Sequence, residues 1–229
     1  MQGQSDLKLP EDSPPVLAGY PTREVQLTFG DRRVRLLTVR RLEDYVNTEA
    51  LLRDADMPEP PYWAHVWVGS RSLARLMATE IECAGRRVIE IGCGLGLAGI
   101  VAALRGATVT LFDHSWDGAS FAAANAALNG CRVQVMQTDV RAPALRGQFD
   151  YCLAADVTYD PLLQLAVADF LATHLAADGR AWCAESVRTL DHGFRRACER
   201  HGLRVTEHEA REVEEGRDVR VRITAVAGS

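Results

Sequence analysis

The chain has almost no lysine: Lys8 is the single one, against 25 arginines among 26 basic residues. The arginines are scattered, which excludes a polybasic tail or a calmodulin-target stretch. Basic residues are also outnumbered by 31 acidic ones, and a net charge of −5 argues against nonspecific nucleic-acid binding, which needs a basic face. Paired cysteine motifs are missing too. Cys83, Cys93, Cys131, Cys152, Cys183 and Cys198 form no C-x-x-C pair, and no histidine pair has zinc-ligand spacing. Small buried thiols in a reducing cytosol are the expectation. Long apolar runs are absent. The longest stretch, near residues 97–104, falls far short of the roughly 20 residues that span a bilayer. The first fifteen residues are polar, carry Pro10, Pro14 and Pro15, and lack an apolar signal core. The expectation is a cytoplasmic protein with no membrane segment and no metal.

What is present is ordinary globular material: 229 residues, 47% apolar and 25% charged. That length suits one α/β domain with a short extra element. Residues 1–19 read as a flexible tail, 20–60 as an N-terminal extension and 61–229 as the main domain. Within the extension, Val25, Leu27 and Phe29 alternate with polar residues, Gly30-Asp31 can turn the chain, and residues 33–39 alternate again. This predicts a β-hairpin. Residues 42–53 carry Leu42, Tyr45, Val46 and Leu51 at helical spacing, and Pro58, Pro60 and Pro61 then force an extended linker. Helical spacing returns over 67–81 through Leu73, Leu76 and Met77.

From residue 86 strands and helices alternate. Strands are predicted at 87–91, 108–112, 132–137, 149–154, 180–184, 203–208 and 219–226. Helices are predicted at 97–105, 116–128, 161–176 and 189–200, while 139–148, with Pro143 and Gly147, leaves room for two turns at most. Such alternation implies parallel pairing through right-handed crossovers. The last two strands are separated only by charged and polar residues, so they should form a hairpin, with 207–218 as a solvated loop. The fold expected is α/β: a Rossmann-like, seven-stranded, mostly parallel sheet with one antiparallel edge strand and helices on both faces.

The chemistry concentrates in Val-Ile-Glu-Ile-Gly-Cys-Gly-Leu-Gly, residues 88–96. An apolar strand runs into Gly92, Gly94 and Gly96, and a helix follows. Glycine admits positive φ and lets a ligand approach the backbone, and the helix start supplies free N–H groups. The next strand ends at Asp113, twenty-one residues after Gly92, where a carboxylate can accept ribose hydroxyls. Asp139 closes the third strand, placed to accept from an adenine amino group. Glu90, Asp113 and Asp139 thus end three successive strands, whose ends share the edge of an open parallel sheet where ligands bind. Gly94, Gly96 and Gly99 also satisfy the dinucleotide fingerprint G-x-G-x-x-G, a weak match on its own. The pattern E-x-G-x-G-x-G, and the eighty-odd residues before it, favour S-adenosylmethionine over a nicotinamide or flavin cofactor.

With these residues the sequence resembles the class I, seven-strand methyltransferases. Within them it is similar to the protein-lysine methyltransferase family whose members act on the electron-transfer-flavoprotein β-subunit and on chaperones, some carrying a nicotinamide N-methyltransferase-like label. The likeness covers about residues 60–190. It rests on Pro61-Tyr62-Trp63-Ala64-His65-Val66-Trp67 with Leu73-Ala74-Arg75, on Glu90–Gly99 with Gly106-Ala107, on Asp113, and on Ala154-Ala155-Asp156-Val157-Thr158-Tyr159-Asp160. The last holds the family's D-x-x-Y motif, its most specific signature. The resemblance implies S-adenosylmethionine as cofactor, S-adenosylhomocysteine as product and a protein substrate; the sequence does not reveal the oligomeric state, and a monomer is compatible with it. It places Trp67, Glu90, Gly92, Gly94, Gly96, Asp113, Asp139, Val140 and Ala155 at the cofactor, and Asp156 and Tyr159 at the accepting amine. Where the family often has Asp-Trp after the third strand, this chain has Asp139-Val140. Residues 1–55 match nothing in the family. A small-molecule N- or O-methyltransferase and a non-catalytic cofactor-binding adaptor are the competing readings. By spacing alone, Asp156 would serve equally well as a helix cap, Tyr159 and Trp63 as packing residues.

Overall fold

A computed structural model describes residues 15–46, 60–187 and 193–228. Most of the expected tail, the expected helix beyond residue 46, the linker up to 59 and the start of the expected 189–200 helix lie outside the described residues.

The N-terminal extension forms a small antiparallel sheet of β1 (Val16–Leu17), β2 (Tyr20–Phe29) and β3 (Arg32–Val39), in that order. The turn between β2 and β3 uses Gly30 at φ +58°. Val34 and Leu36 on β3 are completely buried, which fixes which face meets the main domain. After it, Leu42–Tyr45 is a 3₁₀ turn where the sequence pattern suggested a helix.

The main domain runs α1 (Val68–Thr79), β4 (Arg87–Ile91), α2 (Leu97–Leu104), β5 (Thr108–Asp113), α3 (Trp116–Leu128), β6 (Gln134–Gln137), β7 (Phe149–Ala155), α4 (Pro161–His174), β8 (Leu175–Ser186), α5 (Gly193–Arg200), β9 (Arg204–Glu214) and β10 (Arg217–Ala227). The sheet order is β6-β5-β4-β7-β8-β10-β9. β4 to β8 and β6 pair in parallel, and β10 pairs antiparallel to both β8 and β9. The antiparallel strand therefore sits one place in from the edge that β9 forms.

Both faces of the sheet are covered, so its central strands bury apolar residues on both sides. On β4, Val88 packs with Leu73, Met77 and Ile100, whereas Ile89 and Ile91 pack on the other side with Phe112, Val167 and Phe170. All six cysteines are free thiols, five of them buried and Cys131 half-buried. Strand order reverses between β4 and its neighbours β5 and β7. Their carboxyl ends open a crevice there, the place where such sheets bind ligands.

One expectation is corrected. Residues 207–218 are not a loop: β9 and β10 continue to Glu214 and from Arg217, joined by a two-residue turn. Glu215 at φ +49° and Gly216 at φ +75° give that turn two left-handed positions, the geometry that matches strand twist. The charged residues hid the strands because this hairpin docks by ion pairs. Glu212, almost fully buried, receives Arg75 at 3.2 Å, Arg71 donates to the Val213 carbonyl, and His65 meets Glu214 at 3.2 Å.

Candidate cofactor and acceptor site

Each functional position follows from a strand end. The loop leaving β4 has Gly92, Gly94 and Gly96 at φ +59°, +50° and +77°. A Cβ at Gly92 would stand 2.5 Å from Val157 Cγ1, and one at Gly94 2.7 Å from the Trp63 carbonyl oxygen. Only glycine satisfies both the dihedral and the space. Glu90, at 1% exposure, turns beneath the loop, and its Oε2 accepts the Gly99 N–H at 2.8 Å inside the first turn of α2. Burial pushes its carboxyl up to about 8, against the opposing pull of the Gly99 and Ala98 N–H groups.

Asp113 ends β5. Its Oδ2 accepts the Gly94 N–H at 2.8 Å and its Oδ1 the Ser115 N–H at 2.9 Å. The carboxylate also lines the cavity, where it can accept hydroxyls. Burial raises its pKa; the Ser115 and Gly94 N–H groups oppose the rise. Asp139 is half-exposed and held by the Arg141 guanidinium, which keeps its carboxyl below the usual range. Val140 beside it packs against the core face that holds Phe112.

The acceptor end is organised by Asp156. Its backbone is left-handed, φ +52°, unusual for a residue with a side chain. Three bonds fix it: its N–H donates to the Ala184 carbonyl at 2.8 Å, Oδ2 accepts the Gly69 N–H at 2.9 Å, and Oδ1 accepts the Ser186 N–H at 3.1 Å. The carboxylate thus caps α1, a helix remote in sequence. The helix α4 is capped instead by Asp160, which accepts from Leu162 and Leu163, with Pro161 in the first turn. Tyr159 stands 64% exposed between them. Trp67 precedes α1, its Nε1 donating to the Tyr62 carbonyl at 2.8 Å.

A cavity of about 490 Å³ runs along these strand ends. Trp67, Glu90, Gly92, Gly94, Asp113, Asp139, Val140, Ala155, Asp156 and Tyr159 all line it. Gly96 does not; it packs against Leu111 and Ala122 where α2 begins. Sequence reasoning missed Gly69 and Ser186, whose N–H groups hold Asp156, because nothing in their local pattern marks them. His65 and His114 line the cavity as well.

Residues 62–155 match the family model of the methyltransferase small domain. That segment is similar to a methyltransferase domain. The chain is 33% identical over 115 residues to the electron transfer flavoprotein beta subunit lysine methyltransferase of Danio rerio, covering 49% of this chain and 45% of that protein. It is 30% identical over 152 residues to EEF1A lysine methyltransferase 3 of Mus musculus, covering 60% and 63%. The chain spans about half the length of the first curated relatives it matches. Among solved structures, the 16S rRNA N2 G1207 methyltransferase of T. Thermophilus, in complex with AdoMet and guanosine, aligns over 94% of this chain and 52% of its own. That alignment has a TM-score of 0.64 at 14% identity, a likeness of fold.

The cofactor of class I methyltransferases is S-adenosylmethionine, and the residues lining this cavity fit it. Its volume lies within the roughly 300–1,000 Å³ of small-molecule sites. Asp113 offers acceptors for a ribose, and the glycine loop leaves room that any Cβ would fill. Among the described residues no group of three His, Cys, Asp or Glu could hold a metal ion, and no helix is long and apolar enough to cross a membrane.

Proposed function

We propose that the protein is an S-adenosylmethionine-dependent N-methyltransferase acting on a lysine side chain of a protein substrate. The observation that carries this is the cavity itself: Asp113 and Asp139 lie toward one set of strand ends, Asp156 and the exposed Tyr159 toward another, with the glycine loop between. The similarity to lysine methyltransferases supports the same acceptor.

S-adenosylmethionine supplies a sulfonium methyl group for in-line displacement by a neutral amine. The chain needs neither a nucleophile nor a metal; its work is alignment. Asp113 orients the ribose, and the left-handed loop brings backbone N–H groups to the cofactor. Asp156, at the cavity wall, attracts the incoming ammonium electrostatically. Tyr159 offers a ring face suited to a cationic ammonium and a hydroxyl to orient the amine. The amine loses its proton to water before transfer.

The test is incubation of the purified protein with labelled S-adenosylmethionine and a proteome of the same organism, with mass-spectrometric site mapping. A methylated lysine on a discrete protein supports the reading. Label confined to small molecules overturns the protein acceptor, and label on another side chain overturns lysine. Absence of both label and S-adenosylhomocysteine binding overturns the assignment as a whole.

A further inference from the structure

The open edge of the N-terminal sheet is closed by side chains. Alternate residues of an edge strand turn their N–H and C=O away from the paired strand. On β3 two such residues are Arg35 and Leu37, and each meets an asparagine of α3. The Arg35 N–H donates to Asn129 Oδ1 at 2.9 Å, and Asn129 Nδ2 donates to the Arg35 carbonyl at 2.7 Å. The Leu37 N–H donates to Asn125 Oδ1 at 2.7 Å, and Asn125 Nδ2 donates to the Leu37 carbonyl at 3.3 Å. Four residues of helix rise about 6 Å and two residues of strand about 6.7 Å, so the asparagines imitate a strand's spacing.

The two asparagines differ in one bond. Asn129 Nδ2 has its second acceptor in its own helix, the Asn125 carbonyl at 2.8 Å. Asn125 is fully buried, and its Nδ2 reaches the Leu95 carbonyl at 3.0 Å, in the middle of the glycine loop. The Leu95 side chain is buried as well, in a cluster with Val39 of β3, Ala64 and Phe121. A loop with left-handed glycines on both sides of Leu95 has little conformational preference of its own. Its carbonyl accepts from Asn125, itself bonded to Leu37 of the hairpin, and its side chain packs in the cluster that contains Val39, so the hairpin bears on it by two routes.

Resting on the reading that this cavity takes S-adenosylmethionine, we infer that Asn125 is a positioning residue for the cofactor, through which the N-terminal hairpin sets the glycine loop. The hairpin is a buttress beneath the cofactor loop.

The experiment compares Asn125→Asp with Asn129→Asp. Each keeps its shape and turns an amide donor into an oxygen facing carbonyls. Only the first touches the loop. S-adenosylhomocysteine affinity is measured by calorimetry, and thermal unfolding is followed without ligand. Both variants are expected to unfold at lower temperature. Asn125→Asp should also weaken S-adenosylhomocysteine binding about tenfold, and Asn129→Asp by no more than about twofold. If Asn125→Asp does not fold, Val39→Ala loosens Leu95 from the hairpin side and should weaken binding about threefold. Wild-type affinity in Asn125→Asp, or in Val39→Ala where that variant replaces it, overturns the inference. Failure of the wild-type protein to bind S-adenosylhomocysteine overturns the cofactor reading and this inference with it.

Discussion

The carboxylate of Asp156 accepts the backbone N–H of Gly69 at 2.9 Å, joining the end of β7 to the first turn of α1 across 87 residues of sequence. The contact leaves no room at Gly69. A Cβ there would lie 2.3 Å from Asp156 Oδ2 and 2.5 Å from the Ala184 carbonyl oxygen. Gly69→Ala should therefore destabilise the fold by about 1–3 kcal/mol through overpacking. Thermal unfolding should show it as a midpoint lowered by about 2–4 °C per kcal/mol. An unchanged midpoint would mean that the Asp156–Gly69 contact is absent in solution.

Glu90 predicts a pH dependence of stability. Burial raises its folded-state pKa to about 8 from an ordinary value of 4.5. Between these values the folded state binds the proton and the unfolded state has lost it. Stability contributed by the protonated form is therefore present below pH 4.5 and is lost as pH rises toward 8. Glu90→Gln keeps an oxygen for the Gly99 N–H and removes the titration. Its unfolding midpoint in cofactor-free protein should fall less steeply across that window than the wild type's. Asp113, raised in the same direction, leaves a residual slope.

The two ends of the cavity should separate in kinetics. Asp113→Asn removes charge from the ribose end and sets an amide against a backbone N–H donor. Loss of a charge-assisted bond of about 1.5–3 kcal/mol raises the S-adenosylhomocysteine Kd about 10- to 150-fold. Tyr159→Ala should leave that Kd unchanged and lower kcat/KM for the protein acceptor about tenfold or more. Calorimetry and initial-rate measurements on the mapped acceptor read both. A Tyr159→Ala protein with altered cofactor affinity and wild-type acceptor kinetics would contradict the proposed roles.

The β9–β10 hairpin should depend on one buried carboxylate. Glu212 is nearly buried against the half-exposed Arg75 and the less exposed Arg71. Glu212→Ala strands those guanidinium groups and should lower stability by about 1–3 kcal/mol. Glu209, whose pairing with Arg220 is on the surface, is the control: its removal should change stability by less than about 1 kcal/mol. Chemical denaturation of both variants measures the difference.

Much of the fold was legible because its signals are local. The helix expected over 116–128 is found at Trp116–Leu128, since Ser115 supplies the cap, accepting from Gly118. The strand at Arg87–Ile91 carries apolar Val88, Ile89 and Ile91 on both of its faces because both are covered. The hairpin of the last two strands was legible, but its extension through residues 207–218 was not, because ion pairs do part of the docking that apolar residues perform elsewhere. A charged stretch carries no period by which to recognise a strand.

The sequence by itself determined the strand–helix alternation, the glycine loop and the acids at strand ends. Each of these depends on a residue's own dihedral freedom or on the periodicity of a few neighbours. Tertiary structure alone decided what those acids hold. Asp156 reaches Gly69, and Asn125 reaches Leu37 across 88 residues, through bonds to backbone N–H and C=O groups. Every non-proline residue carries those same groups, so no side-chain pattern announces which of them will be met.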